Sequence, residues 1–548
     1  MSVTLALLNG KIYTPDKGIC KAIAFSGEKI AEVGSIKEIE ELCDEKTTRI
    51  DLKGRVVFPG FNDSHMHLLE YSSFLDKVNL RGAASIEEII KRTQDFIRNT
   101  KKKPGEWVLG WGWDQNLFKD NKLPNKDDID KISTNNPILL NRTCGHIGVV
   151  NTLALRTMGI NEDTYIEGGI IDKDSDGKPN GILREMALTW FISRLPKPNK
   201  EQIRYLIDLG ISEALKVGLT SLQTDDFDFF GFEICDDLLD TYNEMIEKEE
   251  LPLRIYEEVE TPNQKIMQSF FDRGLRTGSG NDYFKIGPIK LYADGSLGAR
   301  TAALESEYSD DPGNTGVLVY SDEELNDLVM KAHSEGMQVA IHVIGDRALR
   351  QAVNTMERAL VRVPREERHR IVHCQIGTLP LFEKMAKLGI TSDIQPPFVS
   401  SDWRMVEERI GPEREKTSYA WKTMMNMGIK VGGGSDCPIE SFNPLWGIYA
   451  AVTRKDLEGN PPNSWLPQEK LTVHEAISLY TEGSAYMSFE EAKKGTIEKG
   501  KLEDIVVLDH DPYETAADNL KYIKVLATIV GGKVRFIDEK NFNVIATF

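Results

Sequence analysis

No two cysteines in this chain stand close enough to clamp a metal or to seed a disulfide framework. The six, Cys20, Cys43, Cys144, Cys235, Cys374 and Cys437, are scattered without a CxxC pair, which excludes a zinc ribbon and a small disulfide scaffold. Thiols so placed read as small packed apolar groups. Long hydrophobic runs are missing too, since no apolar segment reaches the ~20 residues of a membrane span. The opening MSVTLALLNGKIYT has no basic n-region and breaks at Asn9-Gly10, the mark of a hairpin and not of a signal peptide. Basic charge is short as well: 67 Lys and Arg face 86 Asp and Glu, for a net charge of −19. Such a surface repels phosphate backbones and anionic lipid, which argues against nucleic-acid and membrane-surface partners. There is no internal repeat and no low-complexity tract. The expectation left standing is a reduced, soluble, cytoplasmic protein.

What is present is ample core material: 548 residues, 40% hydrophobic and 28% charged. Both ends are rich in short β-runs with glycine turns, such as TLALLNGKIYT and KAIAFSGEKIAEVG at the start and DIVVLDHD and KVLATIVGGKVRFID at the close. They predict one small β-sandwich domain built from residues 1–58 and 498–548. Between them, at 59–497, short apolar runs alternate with amphipathic helices. The runs are VVFPGFNDSH, GLTSLQTD, LRIYEEV, IKLYADG, VAIHVIGD, RIVHCQ, ITSDIQP and IKVGGGSD. Helices such as SDEELNDLVMKAHSEG and LPLFEKMAKLG end at glycine, as a helix leading into a strand should. Eight strand candidates with intervening helices predict an α/β fold of the (β/α)8 TIM-like barrel type. One interval is too long for a βαβ step of about 30 residues. Residues 80–205 or so, with GEWVLGWGWDQN and PILLNRTCGHIGVVNTLALRTMGI, are too apolar and too patterned for disorder. They predict a large inserted subdomain on an early βα loop, the kind that sits on a barrel's active-site face.

The chemistry concentrates at the ends of the predicted strands. In FPGFNDSHMH, His65 and His67 are two apart, so a strand presents both to one side and turns Met66 to the other. Alone such a pair is a weak signal. Lys290 in IKLYADG, His342 in VAIHVIGD, His373 in RIVHCQ and Asp436 in GGGSD occupy equivalent places on other strands. Barrel strand ends surround one cup, and ionisable groups there are costly to bury unless they are paired or bind a metal. His333 reads as structural inside a helix, and His369, His474 and His510 have no site context.

This set, His-x-His, Lys, His, His and Asp on strands 1, 4, 5, 6 and 8, resembles the amidohydrolase superfamily. GWGWDQ, GHIGVVNTLAL, KLYADGSLGARTAAL, HVIGDRA and GSDCPIE resemble one branch of it, the YtcJ-like amidohydrolases that include N-substituted formamide deformylases. KGTIEKGKLEDIVVLD resembles the superfamily's return into the small β domain, so the match spans essentially the whole chain. The strand-6 phrase departs from the pattern, with Val372 where an acidic residue is expected.

The resemblance implies one or two divalent metal ions, zinc first and manganese or iron as alternatives. His65, His67 and Asp436 would hold one, and His342 and His373 a second. Lys290 as a free ammonium, of pKa ~10.4, would repel them. Carboxylated by CO2 it becomes an anion able to bridge the two, whereas an unmodified Lys290 would pair with a carboxylate such as Asp294. The implied reaction is hydrolysis of a non-peptide C–N bond, an N-acyl or N-formyl amine, by metal-activated hydroxide, with Asp436 as ligand and base. Deamination of a ring amine, ester or lactone hydrolysis, and a catalytically inactive ligand-binding or scaffold barrel are the alternatives. His146, Trp113, Asp114, Asp294, Arg300 and Gln395 are the candidate substrate contacts, with Arg300 suited to a substrate carboxylate. The partner is a small-molecule substrate, and a homodimer is the expected assembly.

Overall fold

The computed structural model describes residues 2–540, 542 and 546–547. The chain forms two compact units, Met1–Tyr71 with Ile207–Phe548 and, between them in sequence, Ser72–Leu206.

Eight parallel strands make the core of the first unit: β1 (Phe61–Met66), β2 (Leu219–Asp225), β3 (Arg254–Glu260), β4 (Phe284–Tyr292), β5 (Val339–Val343), β6 (Arg370–His373), β7 (Thr391–Ile394) and β8 (Val431–Gly433). They are hydrogen-bonded in sequence order from β1 to β8. Five of the eight are buried along their whole length, as apolar strand runs without polar alternation require. The seam between β8 and β1 is joined just beyond the strand ends. There Asp436 N–H donates to the His65 carbonyl at 2.9 Å, and His67 N–H to the Cys437 carbonyl at 2.8 Å. The predicted helices are present: Asp322–Ser334 opens on a reciprocal Ser321–Glu324 cap, and Leu379–Leu388 ends on left-handed Gly389.

The termini build two further sheets. One runs, by neighbours, Ala546–Thr547, Thr48–Asp51, Leu5–Leu8, Ala22–Ser26 and Lys29–Gly34. The other runs Lys533–Ile537, Val525–Val530, Ile505–Leu508, Val56–Pro59, Lys11–Thr14 and Gly18–Cys20. Leu5, Leu7, Ile23 and Phe25 from the first share one apolar cluster with Ile12, Val57, Ile505, Val507 and Ile529 from the second. Sheets packed through a common core of alternate residues are a sandwich.

The second unit has its own six-stranded sheet, ordered Gly169–Lys173, Pro179–Glu185, Ile147–Val150, Ile138–Arg142, Val108–Trp113 and Val78–Asn79. Successive residues feed opposite faces: Leu140, Val149 and Ile182 enter one apolar cluster, and Leu139, Val150 and Leu183 the other. No helix among the described residues is long and apolar enough to cross a membrane.

Candidate metal centre

Each predicted ligand lies within the last three residues of its strand or just past its carboxyl end. His373 and Asp436 have φ of 73° and 57°, a left-handed backbone that non-glycine residues adopt only where the surroundings hold them there. The turn brings Asp436 across the seam to β1. His65 Nε2 lies 3.4 Å and His67 Nε2 3.2 Å from Asp436 Oδ1. Donor atoms of these three residues all lie within 4.8 Å of one another.

The remaining nitrogens fix which atoms face the centre. His65 Nδ1–H donates to Glu258 Oε2 at 3.0 Å, His67 Nδ1–H to the Asp225 carbonyl at 3.2 Å and His373 Nδ1–H to Gln395 Oε1 at 2.7 Å. In each, the acceptor has no proton to give, which places a hydrogen on Nδ1 and makes Nε2 the atom that takes a proton or a cation. His342 is reversed: Nε2 meets the Gly295 carbonyl at 3.3 Å, leaving Nδ1 free. The rings of His342 and His373 are 4.5 Å apart, and those of His65 and His373 5.8 Å.

Electrostatics agree. Lone pairs on His65 and His67 aimed at a carboxylate are tolerable only with positive charge between them. Burial would lower the pKa of His67, yet the hydrogen bond and charge of Asp436 raise it to about 9. Burial opposes ionisation of Asp436 as well, but the two imidazoles carry it well below the usual carboxylate range. For His373 burial outweighs the charge of Asp436 and holds it down at about 4. A divalent cation supplies the charge this donor set lacks, and nitrogen with carboxylate oxygen is a set that zinc, manganese and iron accept. The residues present therefore fit a metal.

Lys290, on β4, is 1% exposed in its side chain and lies 3.3 Å from Asp225 Oδ2 and 3.5 Å from His65 Nε2. Its carboxylate partner is thus Asp225 and not Asp294. Asp294 instead accepts three backbone N–H groups, from Ala303, Ile344 and Gly345, at 2.8–3.0 Å. It pins the loop after β4 to the end of β5, with His342 Nε2 3.7 Å away. Arg300 forks onto Asp310 at 3.1 and 2.7 Å, so its guanidinium already holds a carboxylate. Gln395 orients His373. In the inserted unit Trp113 is buried and donates to the Leu140 carbonyl, Asp114 pairs with Arg142, and the exposed His146 bonds Glu185 Oε2 at 2.9 Å.

Four groups around the centre are not among the site residues expected from the sequence. Glu258 and Arg370 lie behind His65. Tyr292 sets its hydroxyl 3.4 Å from both Asp225 and Glu260, and Asp63 Oδ1 accepts the N–H groups of His65 and Ser435. The signal was there in LRIYEEV: two adjacent acids inside a buried strand must face opposite sides. Glu257 bonds Asp226 N–H and Glu258 turns to His65.

The sequence profile of the Amidohydrolase family matches residues 48–536. A putative amidohydrolase, YtcJ, of Bacillus subtilis is 34% identical over 539 residues, covering 96% of this chain and 98% of that one. The N-substituted formamide deformylase of Arthrobacter pascens is 26% identical and covers 97% and 98%. An uncharacterized metal-dependent hydrolase from Pyrococcus furiosus superposes with a TM-score of 0.75 at 29% identity, covering 93% of this chain and all of that one.

Proposed function

The chain belongs to the amidohydrolase family, and from that premise we propose that it hydrolyses the non-peptide C–N bond of an N-acyl or N-formyl amine with a divalent cation, zinc first among them. The observation that carries this reading is the meeting of Asp436 Oδ1 with Nε2 of His65 and His67 while both Nδ1 atoms are committed elsewhere. A cation held there by His65, His67 and Asp436 would polarise a carbonyl and would lower the pKa of water from about 16 to about 7. Asp436 is the base: Oδ1 is shared by the imidazoles, and the carboxylate takes the proton of the attacking water and returns it to the leaving nitrogen. His342 and His373, kept neutral by burial, face the same cup.

Lys290 decides how many cations enter. Carrying CO2 it would be an anion, and the His342–His373 pair would complete a second site; this is the form we propose. The ion pair of Lys290 with Asp225 favours the second reading, an unmodified ammonium beside a single cation. Metal analysis after exposure to bicarbonate separates them, with two equivalents expected for the first and one for the second.

The deformylase relative makes N-formyl amines the first substrates to try. A hydrolysis screen of N-formyl, N-acetyl and N-aminoacyl amines, with cation-replete and chelated protein, is expected to release amine only when the cation is present. Asp436→Asn should lower turnover by about 10²–10⁴-fold while keeping most of the cation. Ammonia from ring amines with no acyl amine cleaved would make the protein a deaminase.

A further inference from the structure

The layer of the barrel beneath the cup is charged, where barrels are ordinarily filled by branched apolar side chains. Arg370, fully buried on β6, spans the interior. Its Nε donates to Asp393 Oδ2 on β7 at 2.6 Å, Nη1 to Gln223 Oε1 on β2 at 3.0 Å, and Nη2 to the Ser64 carbonyl on β1 at 2.6 Å. The same Nη2 lies 3.0 Å from Oε1 of Glu258 on β3, whose Oε2 accepts from His65. Strands β2, β3 and β7 supply none of the proposed ligands, yet each supplies one member of this network.

Burying a guanidinium and two carboxylates is costly, and their mutual attraction repays the cost only with close geometry. For the barrel's stability alone, apolar side chains would serve as well. What the network adds is local. Two carboxylates against one guanidinium leave a net negative charge, and Glu258 delivers it to the far nitrogen of His65. A carboxylate there fixes the imidazole as its Nδ1–H tautomer, holds the ring plane, and makes Nε2 a better donor to a cation. Ser64 and His65 are sequence neighbours, so Arg370 grips the backbone of the strand whose side chain Glu258 orients.

We infer that Glu258 is a positioning residue for the metal centre, setting His65 for the cation, and that Arg370 is the counterion that keeps Glu258 in place. The inference rests on the metal reading above, and its test reports on the two separately. Zinc affinity is measured by competition with a chelator, per mole of protein folded by near-ultraviolet circular dichroism, for the unsubstituted chain, Glu258→Gln and Asp393→Asn. Glu258→Gln keeps the shape and one acceptor but removes the charge behind His65, and is expected to weaken zinc binding about 10–100-fold. It is also expected to shift the visible spectrum of the cobalt form. Asp393→Asn disturbs the other side of Arg370 without touching an imidazole. It is expected to lower the melting temperature while leaving zinc affinity within about threefold. Equal affinities for Glu258→Gln and the unsubstituted chain overturn the inference and leave the metal centre standing. Equal losses in both variants also overturn it, because the network would then act only through the fold. No zinc binding by the unsubstituted chain overturns both.

Discussion

Nine histidines look alike in a sequence, and the use of each one's second nitrogen tells them apart. His333 and His369 form a closed relay. Val339 N–H donates to His369 Nδ1 at 3.0 Å, His369 Nε2–H to His333 Nδ1 at 3.0 Å, and His333 Nε2–H to the Val363 carbonyl at 2.8 Å. No lone pair remains for a cation, whereas each proposed ligand keeps one. Burial holds His369 down at about 3, with the neighbouring His333 adding to the effect. The folded protein thus keeps this ring neutral while the unfolded chain binds a proton below about 6.5. The contribution to stability is whole above that value and is lost as pH falls from about 6.5 toward 3, at up to about 1.4 kcal/mol per pH unit. His369→Gln is therefore expected to be less stable than the unsubstituted protein at pH 7.5 and to approach it at pH 5. Urea midpoints across that range check this, and parallel curves would show that His369 does not titrate on unfolding. Strand period alone made His65 and His67 legible as a pair, because residues two apart project to one side, whereas Asp436 joined them only through the family resemblance. The partners of His369, and the turn of Glu258 toward His65, depend on which strands become neighbours, and no short window contains that.

At the scale of elements, apolar runs located all eight barrel strands. The seam, however, is closed by a feature of close packing. Strand β8 reads Val431-Gly432-Gly433 and continues with Gly434 before the site aspartate. A Cβ at Gly434 would stand 2.8 Å from His65 N and 2.9 Å from His65 O, both backbone atoms that cannot swing aside. At Gly432 it would meet the side chains of Met487 and Ser64 at 2.9 and 3.1 Å. The glycine at 434 lets the strand carrying Asp436 reach the strand carrying the two histidines. Gly434→Ala is expected to cost about 1–3 kcal/mol as an overpacking change and to separate Asp436 from the imidazoles. Zinc affinity would then fall further than it does in Gly432→Ala, where side chains can move. Equal zinc affinity in the two variants would show that the seam tolerates the added methyl. The inserted unit was legible as folded because it is too apolar and too patterned for disorder, but not as a sheet: its first four strands pair in sequence order, while Pro179–Glu185 comes between Ile147–Val150 and Gly169–Lys173, an exchange that turn chemistry does not encode.

Across the whole molecule, the ends of the chain are tied to the barrel by one buried ion pair. Arg254, at the start of β3, forks onto Asp504, with Nε to Oδ2 at 2.6 Å and Nη2 to Oδ1 at 2.9 Å. Asp504 also accepts Gly531 N–H at its side chain and Gly60 N–H at its carbonyl, the latter one residue before β1. The aspartate thus joins the sandwich strands Ile505–Leu508 and Val525–Val530 to the foot of the barrel. Both partners are almost fully buried, so removing one leaves the other as an unpaired charge, at a cost of about 3–5 kcal/mol. Ile505–Leu508 lies between Val56–Pro59 and Val525–Val530 in the sheet, and Val56–Pro59 leads through Gly60 into β1. Loosening the joint therefore acts on the strand that carries His65. Asp504→Ala is expected to lower the urea midpoint in one transition, with amide exchange at 505–508 and at 254–260 accelerating together. Faster exchange at 505–508 with unchanged protection at 254–260 would mean that the sandwich opens by itself and the barrel stands without it. The coupled outcome follows from topology: the sheet pairs residues 56–59 with residues 505–508, and all eight barrel strands lie in the chain between them.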